Sequence, residues 1–127
     1  MKVIIAGSRQ GCIWSELDKG IVESGFHITE VVSGCAKGID LQGEMWAKVN
    51  NVSIARFPAD WDAHGKSAGY KRNAEMAKYA DALIAFWEGE SKGTKHMIDL
   101  AEKHGILIHV VIITKFHPVP PPPPYSP

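Results

Sequence analysis

Five apolar stretches rich in β-branched residues punctuate the chain, at positions 2–7, 28–33, 52–57, 82–87 and 106–114. Each is short, bounded by turn residues, and nearly continuous in its hydrophobicity, as expected of strands covered on both faces. Between them the apolar residues fall at helical spacing: Ile13, Leu17 and Ile21; Leu41, Met45 and Val49; Met76 and Tyr79; Met97, Leu100 and Ala101. Strands that alternate with helices in this way imply right-handed crossovers and a parallel sheet.

The predicted fold class is therefore α/β, a Rossmann-like doubly wound three-layer sandwich with a mainly parallel sheet of about five strands. A chain of 127 residues is long enough for one compact core and too short for two. Residues 1–116 are expected to form that domain. Residues 117–127 carry a run of prolines that cannot continue a sheet, so an extended polyproline tail is expected there. Pro122, Pro123, Pro124 and Tyr125 fit a PPxY pattern, but a solvated or partner-packed end is the preferred reading.

Charge narrows the partners. Lys plus Arg and Asp plus Glu are both 14, so no overall field draws the chain to nucleic acid or to a membrane, and anion recognition must be local. The apolar run before Ser8 is too brief for a signal-peptide core or a membrane span. A cytoplasmic protein without membrane contact is expected. Cys12 and Cys35 form no metal-ligand spacing and read as reduced side chains, and His64 has no second ligand at a diagnostic distance. Neither metal nor cofactor is expected.

In an open parallel sheet, ligands bind beyond the carboxyl ends of the strands, where strand order reverses. Four loops of this chain converge there. The first offers Gly7, Ser8 and Arg9, though a glycine-rich turn is also simply how strands connect. In the second, Ser33, Gly34, Lys37, Gly38 and Asp40 combine close backbone approach with groups that either brace the turn or touch a sugar hydroxyl. The third, spanning 58–69, reads as a long irregular loop over the site, with Asp60, Trp61 and Lys66. Its Trp61 either stacks on a base or closes the core beneath the loop, the second being preferred.

The fourth loop opens the last helix at Ser91, Lys92, Gly93 and Thr94, with Arg72 and Asn73 on the preceding helix. A helix N-terminus contributes about 0.3–1 kcal/mol to an anion, whereas a charge-assisted bond from Arg72 contributes about 1.5–3 kcal/mol. Arg72 should dominate.

Taken together, VVSGCAKGID, FPADW, GYKRNAEM, YADALIAFWEG and SKGTKHMI resemble the SLOG superfamily of Rossmann-like proteins, most closely its small YspA/YpsA-related branch from phages and bacteria. The resemblance runs from Gly7 to about Gly105. Two kinds of relative imply different activities. The lonely-guy phosphoribohydrolases split the N-glycosidic bond of nucleoside monophosphates, and their motif is matched here by Arg72, Met76, the strand at 81–86, and Gly93 with Thr94. Their catalytic Glu is replaced by Met97 and their Pro-Gly-Gly turn by residues 88–92, so any hydrolysis needs a carboxylate from Glu88, Glu90 or Asp60. DNA-processing protein A, which binds single-stranded DNA, is similar at residues 33–40 and at Arg72 and Asn73.

The expected function is binding of a nucleotide or nucleotide-derived small molecule, as a sensor or processing domain. An N-glycosidase is the alternative, and a single-stranded nucleic-acid module is the minority reading. The resemblance also implies a homodimer or higher homo-oligomer.

Overall fold

The computed structural model describes residues 1–114; the proline-rich tail expected at 117–127 lies outside them. Five strands, β1 (Lys2–Gly7), β2 (Glu30–Ser33), β3 (Ser53–Arg56), β4 (Ala82–Trp87) and β5 (Leu107–Ile112), form one sheet in the order β3-β2-β1-β4-β5. Every pairing is parallel, with Ile4 opposite Val32 on one side and Leu83 on the other. The sheet is therefore wholly parallel and doubly wound.

Alternation along the strands divides the core. Val3, Ile5, Val31, Ile84 and Phe86 face helices α1 (Trp14–Glu23) and α2 (Ile39–Val49) through Leu17, Ile21, Ile39 and Ala47. Ile4, Ala6, Val32, Leu83 and Ala85 face α4 (Ala68–Tyr79) and α5 (Lys92–His104) through Met76, Ala77, Met97 and Ala101. Each fully buried Val, Leu, Ile, Phe or Met contributes about 1.5–3 kcal/mol of hydrophobic stabilisation. This burial on both faces explains why the central strands have continuous apolar runs.

Two expectations need correction. The edge strands β3 and β5 are not covered on both faces: Ile112 is 73% exposed, and neither strand has a fully buried residue. Having a neighbour strand on one side only, they are covered incompletely by α2 and α5, which pack against them. The segment 58–69 is not an irregular loop either. It contains a one-turn helix α3 (Trp61–His64), a 3₁₀ turn (Gly65–Ser67) and the start of α4 at Ala68. Asp60 starts α3 by accepting the amide of Ala63 at 3.0 Å, and Ser67 closes the turn on the His64 carbonyl at 2.9 Å. Local capping by polar side chains thus orders a stretch that lacks apolar periodicity.

β1 sits between β2 and β4, and the chain leaves it towards β2 while the last two strands are laid down on its other side. The strand order reverses between β1 and β4, so the crevice opens there. Among the described residues no helix is long and apolar enough to cross a membrane.

Candidate functional site

A cavity of about 560 Å³ occupies this crevice. Its floor is the turn after β1, which is pinned on two sides. The Ser8 amide donates to the Phe86 carbonyl at 3.3 Å, and the Ser8 carbonyl accepts the Ile39 amide at 3.1 Å. Gly7 permits this approach, since a Cβ there would lie 2.3 Å from the Phe86 oxygen. Gly38 has φ +80°, and a Cβ would meet the Ser8 carbonyl oxygen at 2.3 Å. Both glycines are explained by packing around the cavity, and Gly38 does not itself line it.

Arg72 crosses from α4 to the end of β2. Its Nη1 donates to the Gly34 carbonyl and its Nε to Asn73 Oδ1 at 2.9 Å. Both acceptors are neutral oxygens, so neither cancels the guanidinium charge. The carboxylate of Asp40 lies on the same small residue: a Cβ on Gly34 would be 2.7 Å from Asp40 Oδ2 and 2.9 Å from Arg72 Nη1. Asp40 is only 6% exposed and accepts the Ala36 amide at 3.2 Å. Burial raises its pKa to about 6, against the opposing pull of the Ala36 amide and Arg72. It is a carboxyl that ionises at a higher pH than an ordinary aspartate, beside a cation and lining the cavity.

The α5 terminus forms the opposite wall. Ser91 caps it, its Oγ accepting from the Thr94 amide at 3.3 Å and from the Thr94 hydroxyl at 2.9 Å. That hydroxyl is thus directed back at the cap, while the first-turn amides of Lys92 and Gly93 lie too early in the helix to have intrahelical acceptors. The Lys92 side chain is exposed and lines no part of the cavity, whereas Ser91, Gly93 and Thr94 do.

The three carboxylates singled out for catalysis are placed very differently. Asp60 caps α3 and borders neither this cavity nor its neighbour. Glu88 lines the cavity, but its Oε1 accepts the amides of Glu90, at 3.1 Å, and Ser91. Burial alone would raise its pKa; bonds from the Ser91 amide, the Ser8 hydroxyl and the Glu90 amide outweigh that and lower it. A carboxylate held ionised by so many donors is a brace for the turn and a poor acid. Glu90 is exposed at the rim of the cavity.

Ser33 is fully buried, its hydroxyl donates to Glu44 Oε2 at 2.6 Å, and it lines neither this cavity nor its neighbour. Glu44 in turn holds Arg56 at 2.8 Å. Trp61, by contrast, does not close the core: it is 53% exposed and stands over the cavity, as does Lys66. A second hollow of about 400 Å³ adjoins the first, sharing Arg9, Ala36, Trp61 and Arg72 and adding Gly34 and Lys37. Of the sequence-derived set, then, Gly7, Ser8, Arg9, Asp40, Trp61, Lys66, Arg72, Asn73, Glu88, Glu90, Ser91, Gly93 and Thr94 border the main cavity.

Sequence reasoning missed Gln10 and Tyr70, which also line it, as does the fully buried Met97 that stands where the related hydrolases have their catalytic Glu. Tyr70 and Asn73 share one face of α4 at i, i+3. Among the described residues no cluster of three or more His, Cys, Asp or Glu side chains is placed to hold a metal ion, and both cysteines are free.

Comparison with known proteins supplies context for this geometry. A model of the YspA, cpYpsA-related SLOG family matches residues 1–64. The gene 61 protein of Mycobacterium phage D29 is 37% identical over 115 residues, an alignment covering 83% of this chain and 91% of that protein. The X-ray structure of DNA processing protein A from Streptococcus pneumoniae superposes with a TM-score of 0.67 at 21% identity, over 84% of this chain. The chain spans about half of that structure, 48% of its length, and the likeness is one of fold.

Proposed function

The chain belongs to the YspA, cpYpsA-related SLOG family, and from that premise we propose that its switch-point cavity binds a nucleotide or a nucleotide-derived small molecule. The observation that carries the reading is the convergence of Arg9, Arg72 and the N-terminus of α5 on one hollow, with Trp61 above it. A phosphate would be met by the guanidinium of Arg72 and by the first-turn amides of α5. Asp40 would accept a ribose hydroxyl, and Trp61 would offer a stacking face for the base. Calorimetric titration with adenosine monophosphate and with ADP-ribose tests this. Saturable binding that collapses in Arg72→Met supports it, and silence from both ligands contradicts it.

A second reading, hydrolysis of a nucleotide N-glycosidic bond, is favoured by one observation, the presence in the cavity of Asp40, its pKa raised by burial to about 6. Met97 supplies no proton, and Glu88 is held as a brace, which leaves Asp40 and Glu90 as the carboxylates to vary. Free base released by the wild type and abolished in Asp40→Asn or Glu90→Gln would establish an enzyme. The adjoining hollow with Lys37 lends some support to a single-stranded nucleic-acid reading, which a steep salt dependence of oligonucleotide binding would reveal. For self-association, the exposed stripe of Leu41, Met45 and Val49 on α2 is the apolar surface to disrupt, with light scattering as the readout.

A further inference from the structure

We propose that His96, which does not line the cavity, is the positioning residue that fixes how Arg72 meets an anion, acting through the side-chain amide of Asn73. Asn73 is 8% exposed and lies between the two. Its Oδ1 accepts Arg72 Nε at 2.9 Å, and its Nδ2 stands 3.3 Å from His96 Nδ1. An amide offers a carbonyl oxygen at one end and N–H donors at the other, so its orientation is set by what its neighbours can give. Arg72 is always a donor, which turns Oδ1 towards it. Nδ2 then faces His96, whose Nδ1 must accept, placing the imidazole proton on Nε2.

The result is a continuous chain of bonds from α5 through α4 to the Gly34 carbonyl at the end of β2. The Tyr70 ring packs edge-on against the His96 ring with centroids 4.4 Å apart, holding it in register. With Nε and one Nη1 proton directed at protein oxygens, Arg72 is constrained to present its remaining Nη protons to a ligand.

Protonation would break the arrangement. Burial lowers the pKa of His96, and the Asp99 carboxylate opposes this from the same helix. The groups facing the imidazole from α4 are Tyr70 and Asn73, with Arg72 one bond further. Once Nδ1 carries a proton it is a donor facing donors; the amide must turn over, and Arg72 loses its Nε acceptor. Asp40, facing Arg72 from α2, titrates near pH 6 with the opposite consequence, since its neutralisation leaves the guanidinium less compensated. Any test must separate the two.

The Nε–Hε resonance of Arg72 in ¹⁵N-labelled protein does so without any ligand. In the wild type it should move with the midpoint of the His96 imidazole itself. In His96→Asn, whose Oδ1 can stand in for Nδ1 and does not titrate, that component should vanish and the high-pH position persist, leaving only the Asp40 step. In His96→Leu the resonance should be displaced at every pH. A wild-type resonance blind to His96 titration, or a His96→Asn spectrum that retains that step, would overturn the proposal even if the Leu variant failed to fold.

A ligand arm rests on the proposed function and uses ADP-ribose, whose diphosphate has no group titrating between about pH 5 and 8. His96→Leu should weaken its binding roughly threefold to tenfold at pH 7.5, and His96→Asn should restore it. Weakening without rescue counts against the relay. Absence of binding in the wild type counts against the proposed ligand instead, and the Arg72 resonance still decides the relay.

Discussion

Replacing Asp40 with Asn should make the protein more stable at neutral pH while impairing its site. The carboxyl's pKa rises from 3.8 to about 6 on folding, a shift of roughly 2 units, or about 3 kcal/mol at about 1.4 kcal/mol per unit. The sign follows from proton uptake. Between about pH 4 and 6 the native state binds more protons at this position than the unfolded chain, so this group's contribution to stability falls as pH rises through that window and stays low above it. An uncharged Asn avoids the cost of a buried charge, but it can accept fewer amides than a carboxylate and loses about 1 kcal/mol of hydrogen bonding. A net gain of about 1–2 kcal/mol at pH 7.5 is expected, shrinking to nothing or reversing near pH 4. Urea unfolding of both proteins from pH 4 to 8 gives the difference directly, and the contribution of Glu88, whose depressed pKa costs stability as pH falls, cancels in it. A difference curve that is flat with pH, or an Asn variant less stable at pH 7.5, would refute the assignment. A natural residue that lowers stability is expected where function requires it.

Three further substitutions probe the framework. Gly7→Ala drives a methyl group against the Phe86 carbonyl, which is backbone and cannot swing aside, and should cost about 1–3 kcal/mol or more in thermal or urea unfolding. Leu17→Ala, at a fully buried site against Phe86's face of the sheet, should cost about 2–5 kcal/mol in the same measurements. Glu88→Gln removes the ionised acceptor of the Ser91 and Glu90 amides and should destabilise by about 1 kcal/mol, with hydrogen exchange rising at those amides. If instead it abolishes a nucleotide-cleaving turnover without touching stability, the bracing role is wrong.

How much of this was legible in the residues depended on the physics each feature expresses. β1 and β4 were read to the residue because strands buried on both faces must be apolar throughout, and few other structures demand that. The convergence of the β1 turn, Arg72 and the start of α5 followed from topology, since a parallel sheet sends those loops to one end. Residues 58–69 were misread because α3 and the following turn are held by Asp60 and Ser67 capping, which leaves no periodic signal. The relation of His96 to Asn73 and Tyr70 depends on how two helices pack, and a single sequence does not encode that in any local pattern. In the sequence Asp60 reads as a candidate for catalysis and Asp40 as a turn brace or sugar contact; burial separates them otherwise, leaving Asp60 as an exposed cap and Asp40 as a cavity-lining acid.

The central claim is that Arg72 and the N-terminus of α5 together receive a ligand's phosphate. Calorimetry with ADP-ribose on the wild type and Arg72→Met addresses it most directly. Saturable one-site binding, weakened roughly 10-fold to 150-fold by loss of a charge-assisted bond worth about 1.5–3 kcal/mol, is the expected result. Equal affinity in the two proteins would mean that the guanidinium is not the anion's partner, and the account would fail.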